Sequence, residues 1–180
     1  MINISFFGFW VAITVTWIIV RGVIALRTKH FSLKRELQLL LVYGCIILVS
    51  RFVYFPLHPV KGRIDYLRFD SSRIFPIWHN FELFTFTHDF YDGWKTNVIG
   101  NILLFVPVGF VWPICFKRLD NVGKVTLAGF IYTLLIELTQ LPFYDRCSDV
   151  DDMILNTTGV FLGALIYFGI KKLKGSKHRQ

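Results

Sequence analysis

Charge is scarce in this chain: only 18% of its 180 residues are Asp, Glu, Lys or Arg, against 54% hydrophobic and 17% aromatic residues. The mean hydropathy is +0.52. A soluble domain of this size leaves much of its surface in water, so this balance excludes an ordinary soluble fold. Cysteine is scarce too. Cys45 and Cys115 fall in apolar runs and Cys147 stands alone in a turn, which excludes a disulfide framework and a cysteine metal site. Familiar catalytic signatures are missing: there is no G-x-S-x-G elbow, H-E-x-x-H zinc motif or phosphate-binding glycine loop. Neither an internal repeat nor a low-complexity segment occurs. No basic stretch precedes the first apolar run and no small-residue cleavage motif follows it, so that run is expected to be a membrane span and not a cleaved signal peptide.

What is present is long hydrophobic runs. A helix needs about 20 mostly apolar residues to cross a hydrocarbon core of roughly 30 Å. Five stretches have that character: Ile4–Leu26, Leu37–Leu57, Val98–Phe116, Val125–Phe143 and Met153–Ile170. Lipid offers no partner to an open backbone, so helices are the expected form. The expected fold class is all-α, a polytopic membrane bundle of about five transmembrane helices. The net charge of +8 is then mainly an orientation signal. Arg27, Lys29, Lys34 and Arg35 follow the first span, Lys117, Arg118 and Lys124 the third, and Lys171, Lys172, Lys174, Lys177 and Arg179 the fifth. Short basic loops stay cytoplasmic, which predicts an N-terminus outside and a C-terminus inside. Arg21, near the inner end of the first span, is expected to snorkel to the headgroups.

The expected organisation is two N-terminal spans with a basic connector over 1–57, an extracytoplasmic aromatic segment over 58–96, a three-helix core over 97–170 and a basic tail over 171–180. The segment before the third span holds five basic and five acidic residues with a dense aromatic run. Phe75–Phe90 is expected to lie on or dip into the outer leaflet surface, where aromatics are enriched. His58, His79 and His88 stand 21 and 9 residues apart, which matches no metal-ligand spacing. Asp92-Gly93 reads as a turn into the third span.

Polar residues inside apolar spans are expensive, and each ionisable one is a functional candidate. Arg51 lies in the second span, Asn97 and Asn101 open the third, Glu137 and Gln140 close the fourth, and Asp152 and Asn156 open the fifth. With the predicted topology, Arg51 and Glu137 each lie six residues, about 9 Å, from the outer boundary, and Asn101 and Asn156 about 5 Å. Asn97/Asn101 and Asp152/Asn156 are spaced i, i+4, and Glu137/Gln140 i, i+3, so each pair shares a helix face. The expectation is a polar cluster at one outer depth, with Arg51 neutralising Glu137 or Asp152. A structural reading stands beside it: Asp149 or Asp152 capping the fifth helix, and the amides serving as interhelical glue. Gly159 and Gly163 are spaced for close helix approach, and Pro107 with Gly109 is expected to kink the third helix. Asp149, Asp151 and Asp152 with Glu137 are more consistent with capping or solvation than with a cation site, so no metal and no cofactor is expected.

The stretch Asn97-Val-Ile-Gly-Asn101-Ile-Leu-Leu-Phe-Val-Pro107-Val-Gly109 resembles the signature of the VanZ-like membrane proteins. It is followed by Glu137-Leu-Thr-Gln140, Arg146 and Asp149-Val-Asp-Asp152-Met-Ile-Leu-Asn156-Thr-Thr-Gly159. These reproduce the family's linked blocks in order and spacing over roughly 65 residues. The family's Asn-x-x-Pro-Phe block is represented by Asn80-Phe-Glu-Leu83-Phe84, with leucine in the proline position. The resemblance implies a bacterial cytoplasmic-membrane protein, and the family's founder is tied to low-level resistance to teicoplanin. Residues 1–60 resemble the family only in hydropathy, so the candidate functional cluster joins Arg51, from its depth in the second span, to Asn97, Asn101, Glu137, Gln140, Arg146, Asp149, Asp152 and Asn156 of the matching blocks, without supplying a reaction. Membrane lipids are the expected partners, with a cell-wall precursor or lipoglycopeptide as further ligands, and no nucleic acid. Three functions stay open: a non-enzymatic factor limiting antibiotic access, an enzyme or transporter acting on an outer-leaflet headgroup, and a structural or assembly role.

Overall fold

A computed structural model describes residues 2–29, 31–55, 66–74, 79–80, 94–146 and 148–177. Five helices dominate: α1 (Phe6–Thr28), α2 (Leu33–Tyr54), α3 (Trp94–Cys115), α4 (Val122–Gln140) and α5 (Val150–Lys177). All five are long and apolar enough to cross a membrane. Outside them, the described residues form four short strands, β1 (Ile2–Ile4), β2 (Leu67–Phe69), β3 (His79–Asn80) and β4 (Ser148–Asp149), in two separate pairs. The all-α expectation therefore holds for the spans, while short strands join the segments outside them.

The helix ends depart from the hydropathy windows because caps, not apolarity, set them. α1 starts after Ser5, whose Oγ accepts from the Gly8 amide at 3.1 Å, and Ile4 belongs to β1 instead. α2 stops at Tyr54 because Phe55 is extended, the conformation favoured before a proline. α4 starts three residues earlier than Val125 because Asn121 caps it, accepting from the Lys124 amide at 2.9 Å. It ends at Gln140, just ahead of Pro142, which has no N–H to continue the ladder. α5 runs on through Lys171, Lys172 and Lys174, since lysine is a good helix former even where the run is no longer apolar.

The chain folds as two compact units. The first comprises residues 1–75 and 142–146. In it Trp10 donates from Nε1 to the Tyr43 hydroxyl at 2.9 Å, and Arg21 pairs with Glu36, joining α1 to α2. Arg21 is thus partnered by a carboxylate on the next helix, where snorkelling had been expected. β1 pairs antiparallel with β2, and the returning segment 142–146 adds to β2: Asp70 N donates to Pro142 O and Tyr144 N to Arg68 O, each at 2.8 Å. Beneath lie Tyr54, Leu67 and Phe143, all buried. The Arg68 and Arg73 guanidiniums lie over the Tyr144 ring, 4.7 and 4.8 Å from its centroid.

Arg68 also binds both carboxylate oxygens of Asp145, holding that carboxyl below the usual carboxylate range. A depressed folded value means the pair's contribution is complete above the ordinary carboxylate pKa and disappears as pH falls through the depressed one. Hydrogen-exchange protection of the Tyr144 and Asp70 amides is therefore expected to weaken in acid relative to neutral pH. In Arg68→Ala that acid sensitivity should vanish; an unchanged pH profile in the variant would rule out the ion pair as its cause. Since the pair is partly exposed, the effect is small.

The second unit comprises 76–141 and 147–180. α5 packs most extensively on α3 and next on α4. The core is Phe105 and Val108 of α3, Val125 of α4 and Val160 and Ala164 of α5, all buried. Glycines permit the contact. A Cβ at Gly109 would overlap the Val160 carbonyl, one at Gly159 the Ile102 carbonyl and one at Gly163 the Val106 carbonyl. Gly129 of α4 leaves room for the Val160 side chain. The expected close approach through Gly159 and Gly163 is present, and its partner is the backbone of α3. Pro107 lies inside α3, where it removes one ladder bond.

The burial of α4 is inverted relative to a water-soluble helix. Its inner face is Val125, Gly129, Thr133, Ile136, Glu137 and Gln140, while Leu127, Ile131, Leu135 and Leu138 are exposed. In lipid this is the low-energy arrangement, because small and polar groups find partners only on neighbouring helices.

Most of the 58–96 segment, including His58, His88, the Asp92-Gly93 turn and most of Phe75–Phe90, lies outside the described residues, as does Cys147. Cys45 and Cys115 are buried in α2 and α3.

Candidate functional site

The polar residues of the second unit gather where the C-terminal end of α4 meets the N-terminal turns of α5 and α3. β4 leads into α5 and is paired in parallel with β3, His79 opposite Ser148 and Asn80 opposite Asp149. The α5 N-terminus presents backbone amides that need acceptors. Asp149 supplies one, its Oδ1 accepting from the Asp151 amide at 2.8 Å. The Asp149 amide itself donates to Glu137 Oε2 at 3.0 Å, and the Ser148 side chain also bonds that carboxylate. Glu137 is only 2% exposed, so those donors replace water.

Asp152 links two helices. Its Oδ1 accepts from Asn101 Nδ2 at 2.6 Å, tying α5 to α3. Asn101 also reaches Asn97 Oδ1, at a long 3.4 Å. One turn deeper, Asn156 Nδ2 donates to Thr133 Oγ1 at 3.0 Å, tying α5 to α4, with both residues buried. Gln140 is buried at the end of α4.

Of the nine candidates, seven therefore belong to the second unit, and hydrogen bonds link Asn97, Asn101 and Asp152 in one chain and Glu137 with Asp149 in another. Arg51 and Arg146 belong to the first unit. Arg51 donates to the Phe55 carbonyl at 3.4 Å and lies over the Phe6 and Phe52 rings. Arg146 Nε donates to the Tyr54 carbonyl at 3.0 Å. Both guanidiniums thus serve the C-terminal end of α2, where unpaired carbonyls and the helix dipole favour a cation. The expected pairing of Arg51 with Glu137 or Asp152 is not among the contacts described for it.

Sequence reasoning missed three participants. Thr133 is an uncharged residue in an apolar run, and its one sequence signal is the i, i+4 spacing that puts it on the Glu137 face. Ser148 and the β3–β4 pairing had no signal in hydropathy. Among the described residues no group of three or more His, Cys, Asp and Glu side chains could hold a metal ion.

The blocks that form this junction are those of a known family. A family model described as VanZ/LLP1 matches residues 37–172. The chain belongs to the VanZ/LLP1 family. Protein VanZ of Enterococcus faecium is 31% identical over 88 residues, which is 49% of this chain and 51% of that protein. The chain thus spans about half the length of this curated relative. No solved structure matches it. With five apolar helices, this VanZ/LLP1 member is a multi-pass membrane protein.

The Thr133–Asn156 bond can be weighed directly. A double-mutant cycle with Thr133→Val and Asn156→Leu, read by unfolding in detergent, is expected to give a coupling of about 1 kcal/mol, the usual scale for interhelical bonds in lipid. Additive losses would show that the two side chains do not interact.

Proposed function

We propose that this VanZ-like protein acts in the bacterial cytoplasmic membrane, with its N-terminus outside and its C-terminus inside, and lowers susceptibility to teicoplanin-type glycopeptides at the outer face. The observation that supports this is the gathering of the family blocks: Asn101, Glu137, Asp152 and Asn156 of three helices and Asp149 of β4 meet at one end of the α3–α5 bundle. In the proposed orientation that end faces outward, where such drugs and the cell-wall precursors they bind are found. Expression in a susceptible host should raise the teicoplanin concentration needed to inhibit growth, with vancomycin as the comparison. No change for either drug would remove the antibiotic reading.

A second reading is favoured by Glu137. A carboxylate 98% shielded in a spanning helix is costly unless used, and an enzyme or transporter acting on an outer-leaflet headgroup or cell-wall precursor would use it as acid, base or ligand.

A further inference from the structure

The end of the second unit opposite the polar junction is basic, and helix register makes it so. α3 and α5 run parallel: Asn101 bonds Asp152 near their starts, Gly163 faces the Val106 carbonyl, and the Phe110 and Tyr167 rings lie 6.0 Å apart further along. α4 runs antiparallel to α5, with Thr133 against Asn156 and Gly129 against Val160. This register sets the 116–121 reversal between α3 and α4 level with Lys171 and Lys172. From there α5 continues to Lys177, about 8 Å further. Lys117, Arg118, Lys124, Lys171, Lys172 and Lys174 are all exposed at this end. Segments 112–126 and 165–177 contain a single acidic residue, Asp120, and Lys124 binds it at 3.0 Å. Aromatic rings lie about one turn below the cations: Trp112 against Phe116, and Tyr167 against Phe168, with Lys171 Nζ 5.8 Å from the Phe168 centroid. Aromatic belts of this kind sit at the headgroup level of a bilayer, so the cationic heads reach the lipid phosphates. Orientation alone requires cations in each loop; it does not require those of two separate segments to share one surface.

We propose that this basic end of the α3–α5 unit is a binding surface for anionic phospholipid headgroups. Charge complementarity names the occupant. Like charges gathered at one end repel, and a headgroup of net negative charge at the same depth relieves that repulsion. A zwitterionic headgroup, whose own cation stands beside its phosphate, relieves it far less. The surface is separate from the polar junction and stands whether or not the antibiotic reading does.

The test uses the purified full chain in detergent micelles doped with phosphatidylglycerol or with phosphatidylcholine of the same acyl chains. At about ten times the half-saturating lipid concentration, phosphatidylglycerol is expected to raise the unfolding temperature by about 4 °C more than phosphatidylcholine. That excess should disappear at about 1 M salt, where exposed charges are screened. Lys172→Gln with Lys174→Gln should remove about half of it or more, since lipid attraction sums over nearby cations. Lys172→Arg with Lys174→Arg should retain it. Arg27→Gln with Lys34→Gln removes the same charge from the first unit and should leave the excess intact. Equal responses of the wild-type chain to the two lipids overturn the proposal, as does an excess that survives salt; neither result depends on a variant folding. Equal losses in the two glutamine pairs would overturn it as well, because diffuse attraction to net charge then suffices.

Discussion

Replacing Gly159 by leucine is expected to leave almost no folded protein. The α3–α5 contact is backbone on backbone at this point, and a Cβ on Gly159 already overlaps the Ile102 carbonyl and presses on Phe105. A flexible side chain could yield, but a helix backbone held by its own ladder cannot, so the helices must separate. Separation would also pull Asp152 from Asn101, since both lie on this same helix pair. Overpacking of a core usually costs 1–3 kcal/mol, and a rigid obstacle places this case at about 4 kcal/mol or more. Even Gly159→Ala should be strongly destabilising. The control is Gly169→Ala on the same helix, where nothing lies within 4 Å of the added Cβ. There the gain in helix propensity should make the change neutral or stabilising by up to about 1 kcal/mol. The fraction of monodisperse protein after extraction, and its unfolding in detergent, compare the two. Equal yields of Gly159→Leu and Gly169→Leu would show that the close approach of α3 and α5 is not needed for folding.

Under the proposed function, Glu137→Gln should abolish the effect on teicoplanin susceptibility while leaving the fold intact. Glutamine is nearly isosteric, and its carbonyl can still accept from the Asp149 amide, which lies 3.0 Å from Glu137 Oε2. The anchor on the α5 N-terminus is therefore kept, and what disappears is the carboxylate's capacity for charge and for proton exchange. Read through teicoplanin susceptibility, the variant should match the empty host at wild-type expression. A loss of folded protein in step with the loss of phenotype would instead assign Glu137 to structure alone. Wild-type behaviour in a well-expressed variant would remove the carboxylate from the function altogether. Glu137→Leu is the harsher comparison: it orphans the Asp149 amide and is expected to cost stability as well.

Much of this architecture could be read directly from residue order. Five apolar runs dictate five helices, because nothing else satisfies a backbone in lipid. The spacings of Asn97/Asn101 and Asp152/Asn156 put each pair on one face, and those faces do meet their neighbours. The small-residue spacing of Gly159 and Gly163 was visible for the same reason: a period of about four residues is a property of the helix and not of its surroundings.

Other features carried no such local signal. Helix ends moved by several residues because a cap is a single hydrogen bond, as from Ser5 or Asn121, and hydropathy averages over it. The β3–β4 pairing joins residues nearly seventy positions apart through backbone atoms that every residue possesses. The alternative roles of the acidic run were also undecidable along the chain. Asp149 and Asp152 are equally placed by type to cap α5. The fold assigns the cap to Asp149 and the link to Asn101 to Asp152.

By itself, then, the sequence determined the number of spans, their apolar character, the family and the polar residues that had to be accounted for, since each follows from composition and periodicity within one segment. Only the tertiary structure decided which partner each polar residue takes. It set Arg51 and Arg146 against the carbonyl end of α2, joined Glu137 to the amide end of α5, and tied Asn156 to Thr133. Partner choice depends on which faces meet, and close packing of α3, α4 and α5 around their glycines settles that.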